Sequence, residues 1–237
     1  MRSKKFNNVT QLSFLPHVFP INIYVVEEDD FLIVIDMGIK YFIKDIQKIC
    51  KNKNKPVKFL LLTHAHSDHV MGIQAFKKQF PAAKVMISKK EHDLILNDFN
   101  FDVQDKDYLL KGDYSKCDFS VDGTLENSDN VGTLKVIATP GHSVGSISFW
   151  NEKYQYIIVG DAFQTKGRVA VSGDKVKTFP FPAMATGNID DAIISAKKIV
   201  LLNPSTLAVG HGNILINPLE KLNLAISRFE DERKNNK

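Results

Sequence analysis

The chain has 237 residues, 43% of them hydrophobic, so it can bury a large core without disulfides or a partner chain. Its 31 lysines and arginines outnumber its 27 aspartates and glutamates by too little to indicate nucleic acid or an anionic membrane as the partner. Cys50 and Cys117 form neither a Cys-x-x-Cys motif nor a disulfide framework. No apolar stretch reaches the length of a membrane span, and we expect one cytoplasmic domain over residues 1–237.

The first half of the chain alternates between strand and helix patterns. Short apolar runs predict strands, and apolar residues at helical spacing predict helices. In chain order, the predicted elements are a hairpin of strands over 21–26 and 31–36, a helix over 41–50, a strand over 57–63, a helix over 73–80 and a strand over 84–88. Such alternation is typical of α/β proteins.

The second half begins with a loosely patterned, polar segment from about Glu91 to Asn130, for which we expect a lid or an insertion. Regular patterns then return, with an irregular segment rich in glycine and proline between them. The predicted elements are strands over 134–139, 146–150 and 154–160, a helix over 190–202, a strand over 206–209 and a charged C-terminal helix after Glu220.

A dense group of potential metal ligands follows the strand predicted over 57–63. His64, His66, Asp68 and His69 lie within six residues, in the segment THAHSDHVMG. A strand end followed by a turn can bring such side chains to one point. Imidazole and carboxylate are ligands of zinc, and also of iron, nickel and manganese.

Three further strand ends carry the same residue types. His142 follows the strand over 134–139, Asp161 follows the strand over 154–160, and His211 follows the strand over 206–209. Because the carboxyl ends of strands in open α/β sheets gather at one rim, we expect these side chains to meet there. Seven ligands are too many for one tetrahedral zinc ion, and they suit two divalent ions that share a ligand.

This pattern resembles the metallo-β-lactamase superfamily, whose His-x-His-x-Asp-His signature is matched by His64, His66, Asp68 and His69. The resemblance implies a four-layer αββα sandwich with the metals at one edge. It also implies that His64, His66 and His142 hold one ion, that Asp68, His69 and His211 hold the other, and that Asp161 bridges them. Asp36, in the Ile-Asp-Met-Gly segment, would lie beside the ligands and orient an imidazole, or would simply end a strand.

The resemblance further implies a hydrolase in which a hydroxide held between two divalent ions, zinc above all, attacks a carbonyl carbon of a small-molecule ester, lactone or thioester. Asp68 would be a metal ligand first and handle a proton second. Two alternatives stay open: a phosphodiesterase or nuclease with the same two metals, and a mononuclear iron enzyme that oxidises a sulfur compound. Nucleic acid is the less favoured substrate, since the sequence lacks the basic arm of the tRNA-processing branch.

Differences between this sequence and individual branches of the superfamily narrow the range of expected substrates. Zinc β-lactamases lack a bridging aspartate at the position of Asp161, so a β-lactam is not expected. Quorum-signal lactonases place a tyrosine where this chain has Gln164. Gln164, Phe179 and Phe181 follow Asp161 closely enough to line a substrate pocket, although the two phenylalanines could equally be core residues.

Overall fold

A computed structural model describes residues 1–100, 105, 107–114 and 120–235. Its first sheet has seven strands, which lie side by side in chain order. The strands β1 to β4 pair antiparallel, and β4 to β7 pair parallel. They are β1 (Arg2–Phe6), β2 (Val9–Phe14), β3 (Ile21–Glu27), β4 (Leu32–Ile35), β5 (Val57–Leu61), β6 (Lys84–Ser88) and β7 (Gly123–Leu125).

Helices connect the parallel strands of this sheet. They are α1 (Ile43–Lys53), which follows a short 3-10 turn at Lys40–Phe42, α2 (Ser67–Val70), α3 (Ile73–Gln79) and α4 (Lys89–Leu96). The helix α1 ends at Asn54, whose left-handed backbone lets its N–H bond to the last turn of the helix. Ser88 begins α4 by accepting a hydrogen bond from the Glu91 N–H.

The second sheet has six strands, and a separate two-stranded ribbon follows Asp161. In chain order, the strands are β8 (Asn130–Val131), β9 (Leu134–Ala138), β10 (Ile147–Asn151), β11 (Tyr156–Ile158), the ribbon strands β12 (Phe163–Gln164) and β13 (Ala170–Val171), β14 (Thr206–Ala208) and β15 (Leu215–Ile216). The spatial order in the sheet is β15-β14-β11-β10-β9-β8. Three helices accompany these strands: α5 (Phe181–Met184), α6 (Ile189–Leu201) and α7 (Leu219–Asn235).

Three hydrophobic layers hold these elements together because alternate residues of a strand face opposite sides of its sheet. Val34 and Leu60 pack in the layer beneath α1 and α3. Their neighbours Ile33 and Leu61 face the second sheet and pack in the layer between the sheets. The third layer lies between the second sheet and the helices α6 and α7. The architecture is therefore the predicted four-layer αββα sandwich.

The structure adds elements that the sequence pattern did not predict. The N-terminal hairpin of β1 and β2 was missed because polar residues occupy buried positions in it, such as Gln11 and Ser13. The helix α4 extends into the segment from Glu91 to Asn130, of which residues 101–104, 106 and 115–119 lie outside the described residues. In the part of the chain that is described, no helix is both long enough and apolar enough to cross a membrane.

Candidate metal centre

The first group of predicted ligands lies in the loop between β5 and α3. Three of them, His64, His66 and His69, are nearly inaccessible to solvent. Asp68 is the most accessible, with a quarter of its side chain exposed. The loop can turn this sharply because α2 begins directly after His66, where the backbone changes from extended to helical.

The remaining predicted ligands come from the second sheet. His142 follows β9, Asp161 follows β11 and His211 follows β14, and all three side chains are buried. Gly210 allows the last loop to approach the others, since a Cβ atom there would lie 2.1 Å from Asp161 Oδ1. The centre is thus built at the seam between two sheets.

All seven predicted ligands meet at this seam. Within each of three overlapping groups, the potential ligand atoms lie no more than 4.8 Å from one another. These groups are His64, His66 and His142; His64, His69 and Asp161; and Asp68, His69 and His211. Two of the groups coincide with the two ligand sets implied by the resemblance, and Asp161 lies between them.

Asp161 contacts histidines of both sets. Its Oδ1 atom lies 3.4 Å from His69 Nε2, and its Oδ2 atom lies 3.1 Å from His211 Nε2 and 3.5 Å from His142 Nε2. Asp68 joins the second set through its Oδ2 atom, which lies 3.2 Å from His211 Nε2. A carboxylate placed in this way can reach a cation on either side.

Backbone carbonyls and a carboxylate fix the rings of three histidines. His66 Nε2 donates to the Lys111 carbonyl at 2.9 Å, and His211 Nδ1 donates to the Pro20 carbonyl at 2.6 Å. His69 Nδ1 lies 2.8 Å from Asp36 Oδ2. Because each outer nitrogen carries a proton, the inner nitrogen of each neutral ring presents a lone pair to the centre.

Hydroxyl groups hold the other two imidazoles. His64 Nδ1 lies 3.0 Å from Thr63 Oγ1, and His142 Nδ1 lies 2.9 Å from Ser172 Oγ. Asp36 supports this side as well, since its carboxylate accepts hydrogen bonds from the backbone and side chain of Thr63. Asp36 therefore supports His69 directly, and it supports His64 through Thr63.

The inward-facing atoms lack the partners that the outward-facing atoms have. The described residues provide no hydrogen-bond partner for His64 Nε2, His69 Nε2 or Asp161 Oδ1, all of which are buried. His66 Nδ1 and His142 Nε2 face each other at 2.9 Å, although both are nitrogens on the inner side. Each buried polar atom left without a partner costs about 1–3 kcal/mol. Cations between these nitrogen and oxygen donors would satisfy them, so the residues fit divalent metal ions.

Burial keeps one set of histidines neutral. It lowers the pKa of His142 to about 3, and it also lowers the pKa values of His64 and His66. Neutral imidazole is the form that binds a metal ion, so this set needs to lose no proton at pH 7.

Carboxylates have the opposite effect on the second set. Burial acts to lower the pKa of His211, but Asp161 and Asp68 outweigh it and raise this pKa to about 10. Burial also acts to lower the pKa of His69, but Asp36, Asp161 and Asp68 outweigh it and raise this pKa well above its usual value. In return, the pKa values of Asp161 and Asp68 fall below their usual range, although burial alone would raise them.

We expect zinc binding at pH 7 to release at least about two protons per chain, because His69 and His211 must lose theirs to become ligands and a zinc-bound water can lose a third. Affinity should therefore rise with pH until His211 deprotonates near its pKa of about 10, and fall as the pH is lowered. Isothermal titration with Zn²⁺ in buffers of different ionisation enthalpy measures this proton count. His17, exposed and outside the centre, supplies the control variant His17→Asn, which should release the same number. Zinc binding without proton release would contradict the prediction.

Residues 107–114, which sequence patterns left in a loose segment, lie against His66. We call this segment the strap. The Lys111 carbonyl accepts the hydrogen bond from His66, and the Asp113 carbonyl accepts one from the Ser67 N–H at 2.7 Å. Gly112 has a positive φ of 87°, and a Cβ atom there would lie 2.5 Å from His66 Nε2. The ring of Tyr114 packs 4.5 Å from that of His66. The strap therefore covers one side of the centre.

The predicted pocket residues have different positions. Gln164 is buried and donates to the Phe179 carbonyl at 3.3 Å. Phe179 is only 1% exposed and packs against His211, with the ring centres 5.3 Å apart. Phe181 is 50% exposed and contacts both Phe179 and Phe19, a residue that the sequence did not single out. Of the three predicted residues, only Phe181 presents a large apolar surface beside the centre.

Comparisons with known proteins agree with this geometry. The family model of the metallo-beta-lactamase superfamily matches residues 17–211. The uncharacterized protein YobT of Bacillus subtilis (strain 168) is 39% identical over 229 residues, which are 96% of this chain and 98% of YobT. A hydroxyacylglutathione hydrolase of Prochlorococcus marinus (strain NATL1A) is 32% identical over 120 residues, which are 49% of this chain and 40% of the relative.

A solved structure shares the fold. The crystal structure of TTHA1623 in a di-iron-bound form superposes with a TM-score of 0.64 at 21% identity, covering 89% of this chain and 96% of that one. The match to the family model spans the signature loop and the three strand ends of the second sheet that carry candidate ligands. The chain therefore belongs to the metallo-beta-lactamase superfamily and is a hydrolase with a histidine-rich metal site.

Proposed function

We propose that this hydrolase uses two zinc ions to cleave an ester, lactone or thioester of a small molecule. His64, His66 and His142 would hold one ion, Asp68, His69 and His211 the other, and Asp161 would reach both. The observation that carries the proposal is the set of buried, inward-facing atoms to which the described residues give no hydrogen-bond partner. Among them are His64 Nε2 and His69 Nε2, whose rings are held from behind at Nδ1.

When bound, the ions would supply an activated water and polarise the carbonyl of the substrate. The protein would contribute orientation. Asp36, Ser172 and the carbonyls of Lys111 and Pro20 hold imidazole rings in fixed directions, so little reorganisation is needed when a substrate arrives.

Asp68 marks the side from which a substrate would enter. It is a quarter exposed, whereas the other six ligand side chains are at most 5% exposed. A carboxylate at such an opening can contact both a cation and the leaving group, so we assign Asp68 a second role: it would accept a proton from the attacking water and pass it to the departing alkoxide or thiolate.

Phe181 is placed to contact an apolar part of the substrate. Its half-exposed ring belongs to a cluster with Phe19 and Phe179, both of which pack against His211. An acyl chain or lactone side chain lying on this ring would be shielded from water close to the metal ligands.

Replacing Phe181 by alanine should lower kcat/KM for an apolar substrate about 10-fold, since the lost contact amounts to about 1–2 kcal/mol. The effect should be smaller for an acetyl ester of the same alcohol, and zinc content should not change. Kinetics with a series of acyl chain lengths measures the difference. Leu201→Ala removes an apolar side chain that is still more exposed, at the end of α6, and should have no effect. Equal losses for all chain lengths would refute the assignment.

The function itself is tested by elemental analysis of protein purified without chelator, together with hydrolysis of a lactone, a thioester, a carboxylic ester and a phosphodiester. About two zinc ions per chain with turnover of a carbonyl substrate would support the proposal. Turnover of the phosphodiester alone would assign the centre to phosphodiester cleavage instead. A single iron ion per chain would refute the two-zinc centre.

A further inference from the structure

Glu91 is a buried acidic residue that neither the sequence motifs nor the proposed ligand sets include. It lies in the first turn of α4, and its side chain is fully buried. A buried carboxylate is costly unless hydrogen bonds replace its water. The hydrogen-bond donors that offset this cost show what Glu91 holds in place.

Each oxygen of the Glu91 carboxylate accepts a hydrogen bond from a different ligand loop. Oε2 accepts from the Ala65 N–H at 2.9 Å, and Oε1 accepts from the Gly145 N–H at 2.9 Å. Ala65 lies between His64 and His66, whereas Gly145 lies three residues after His142. One carboxylate thus joins the loop of the first sheet to the loop of the second.

Close packing leaves little freedom in this connection. A Cβ atom on Gly145 would lie 2.5 Å from the Glu91 backbone nitrogen and 2.6 Å from Ser88 Oγ. Ser88 also donates to the Gly145 carbonyl, so the beginning of α4 holds both polar backbone groups of this glycine. A second connection runs nearby, where the Ile147 N–H donates to the Thr63 carbonyl at 2.9 Å.

The three imidazoles concerned are those of one ligand set. His66 Nδ1 and His142 Nε2 lie 2.9 Å apart across the seam, and the ring centres of His64 and His142 are 4.9 Å apart. The atoms of the other set are held from elsewhere: His69 by Asp36 and His211 by Pro20. A change at Glu91 therefore acts directly on the set of His64, His66 and His142, and it reaches the other set only through these residues.

We propose that Glu91 is a positioning residue that fixes the distance between the His64–His66 loop and the His142 loop, and thereby the affinity of the ion that these three histidines hold. The inference rests on the proposed metal centre and goes beyond it, because Glu91 touches no ligand side chain in the contacts described above. Two N–H donors, one on each oxygen, suit an ionised carboxylate better than an amide of the same shape.

The test is zinc titration of the full chain, without substrate, against a chromophoric chelator. Glu91→Gln keeps the size of the side chain but turns an NH₂ group toward one of the two N–H donors. We expect it to bind one zinc ion with wild-type affinity and the other at least about 10-fold more weakly, as is usual when support behind a ligand is lost. Asp93→Asn, on the exposed side of the same helix, is the matched control and should bind both ions like the wild type.

The outcomes separate the inference from the proposed function. Wild-type affinity for both ions in Glu91→Gln would overturn the positioning role, even if the variant unfolds at a lower temperature. An equal loss of affinity for both zinc ions would also overturn it, because that result would indicate a general loss of structure and not an effect on one site. If the wild type binds no zinc, the metal centre itself is refuted, and the inference with it.

Should Glu91→Gln fail to fold, amide hydrogen exchange in the metal-free wild type decides the matter. We expect the Ala65 and Gly145 amides to exchange slowly, because Glu91 holds both loops before any ion binds. Rapid exchange of either amide in the metal-free protein would overturn the proposal, since the loops would then depend on the ion for their position.

Discussion

Replacing Asp161 by asparagine is expected to lower kcat about 10³-fold and to leave about one zinc ion per chain. Asp161 faces His69 with one oxygen and His211 and His142 with the other. An asparagine loses the charge and turns an NH₂ group toward one of these sides, so it cannot serve both. Loss of one ion removes about 4 kcal/mol of transition-state stabilisation, which corresponds to this factor in rate.

Steady-state kinetics and elemental analysis of the same preparation measure the two effects together. Asp30→Asn, in the exposed turn between β3 and β4, is a control for the loss of one carboxylate and should retain both activity and zinc. A variant of Asp161 with full activity and two ions would show that the bridging position is not needed.

Removing the metal should lower the unfolding temperature of the wild-type protein by about 10 °C for each zinc ion lost. A ligand present at a thousand times its Kd stabilises the native state by about 4 kcal/mol. For a chain of this size, each kcal/mol corresponds to about 2–4 °C in Tm. This stabilisation already includes the contacts of zinc with His64 Nε2, His69 Nε2 and Asp161 Oδ1, which have no hydrogen-bond partner among the described residues.

Differential scanning calorimetry with a chelator, and again after zinc is returned, checks this prediction. Magnesium at the same concentration is the control, since it prefers oxygen ligands and should not restore the Tm. An unfolding temperature that does not respond to zinc would contradict the presence of a folded, high-affinity site.

The residues that meet in the candidate metal centre could be singled out from the sequence because they are concentrated in local patterns. The signature loop places four of them within six residues, and the other three each lie three or four residues after the end of an apolar strand. The buried strands were likewise visible as apolar runs. The four-layer arrangement came from the resemblance, since strand and helix patterns alone specify neither how two sheets pack nor which edges meet.

The supports behind the ligands were largely beyond prediction. Lys111 and Pro20 act through their carbonyl groups, which every residue has. Ser172 lies 30 positions from His142, and nothing in the sequence relates the two. Glu91 stands in a polar segment where a surface position is the usual expectation, and only the burial of its carboxylate reveals its role. Asp36 was predictable, because it ends a strand at a position that the resemblance marks.

The location of the centre at a seam between two sheets also governs when it can form. His64 emerges from the ribosome long before His211, and each of the two proposed ligand sets takes residues from both sheets. A nascent chain with only its first sheet complete therefore lacks a finished site, and we expect metal uptake to follow synthesis and docking of the second sheet. Interactions that form only after the folding barrier has been crossed retard the reverse reaction. Zinc should accordingly slow the unfolding of this protein while leaving its refolding rate almost unchanged.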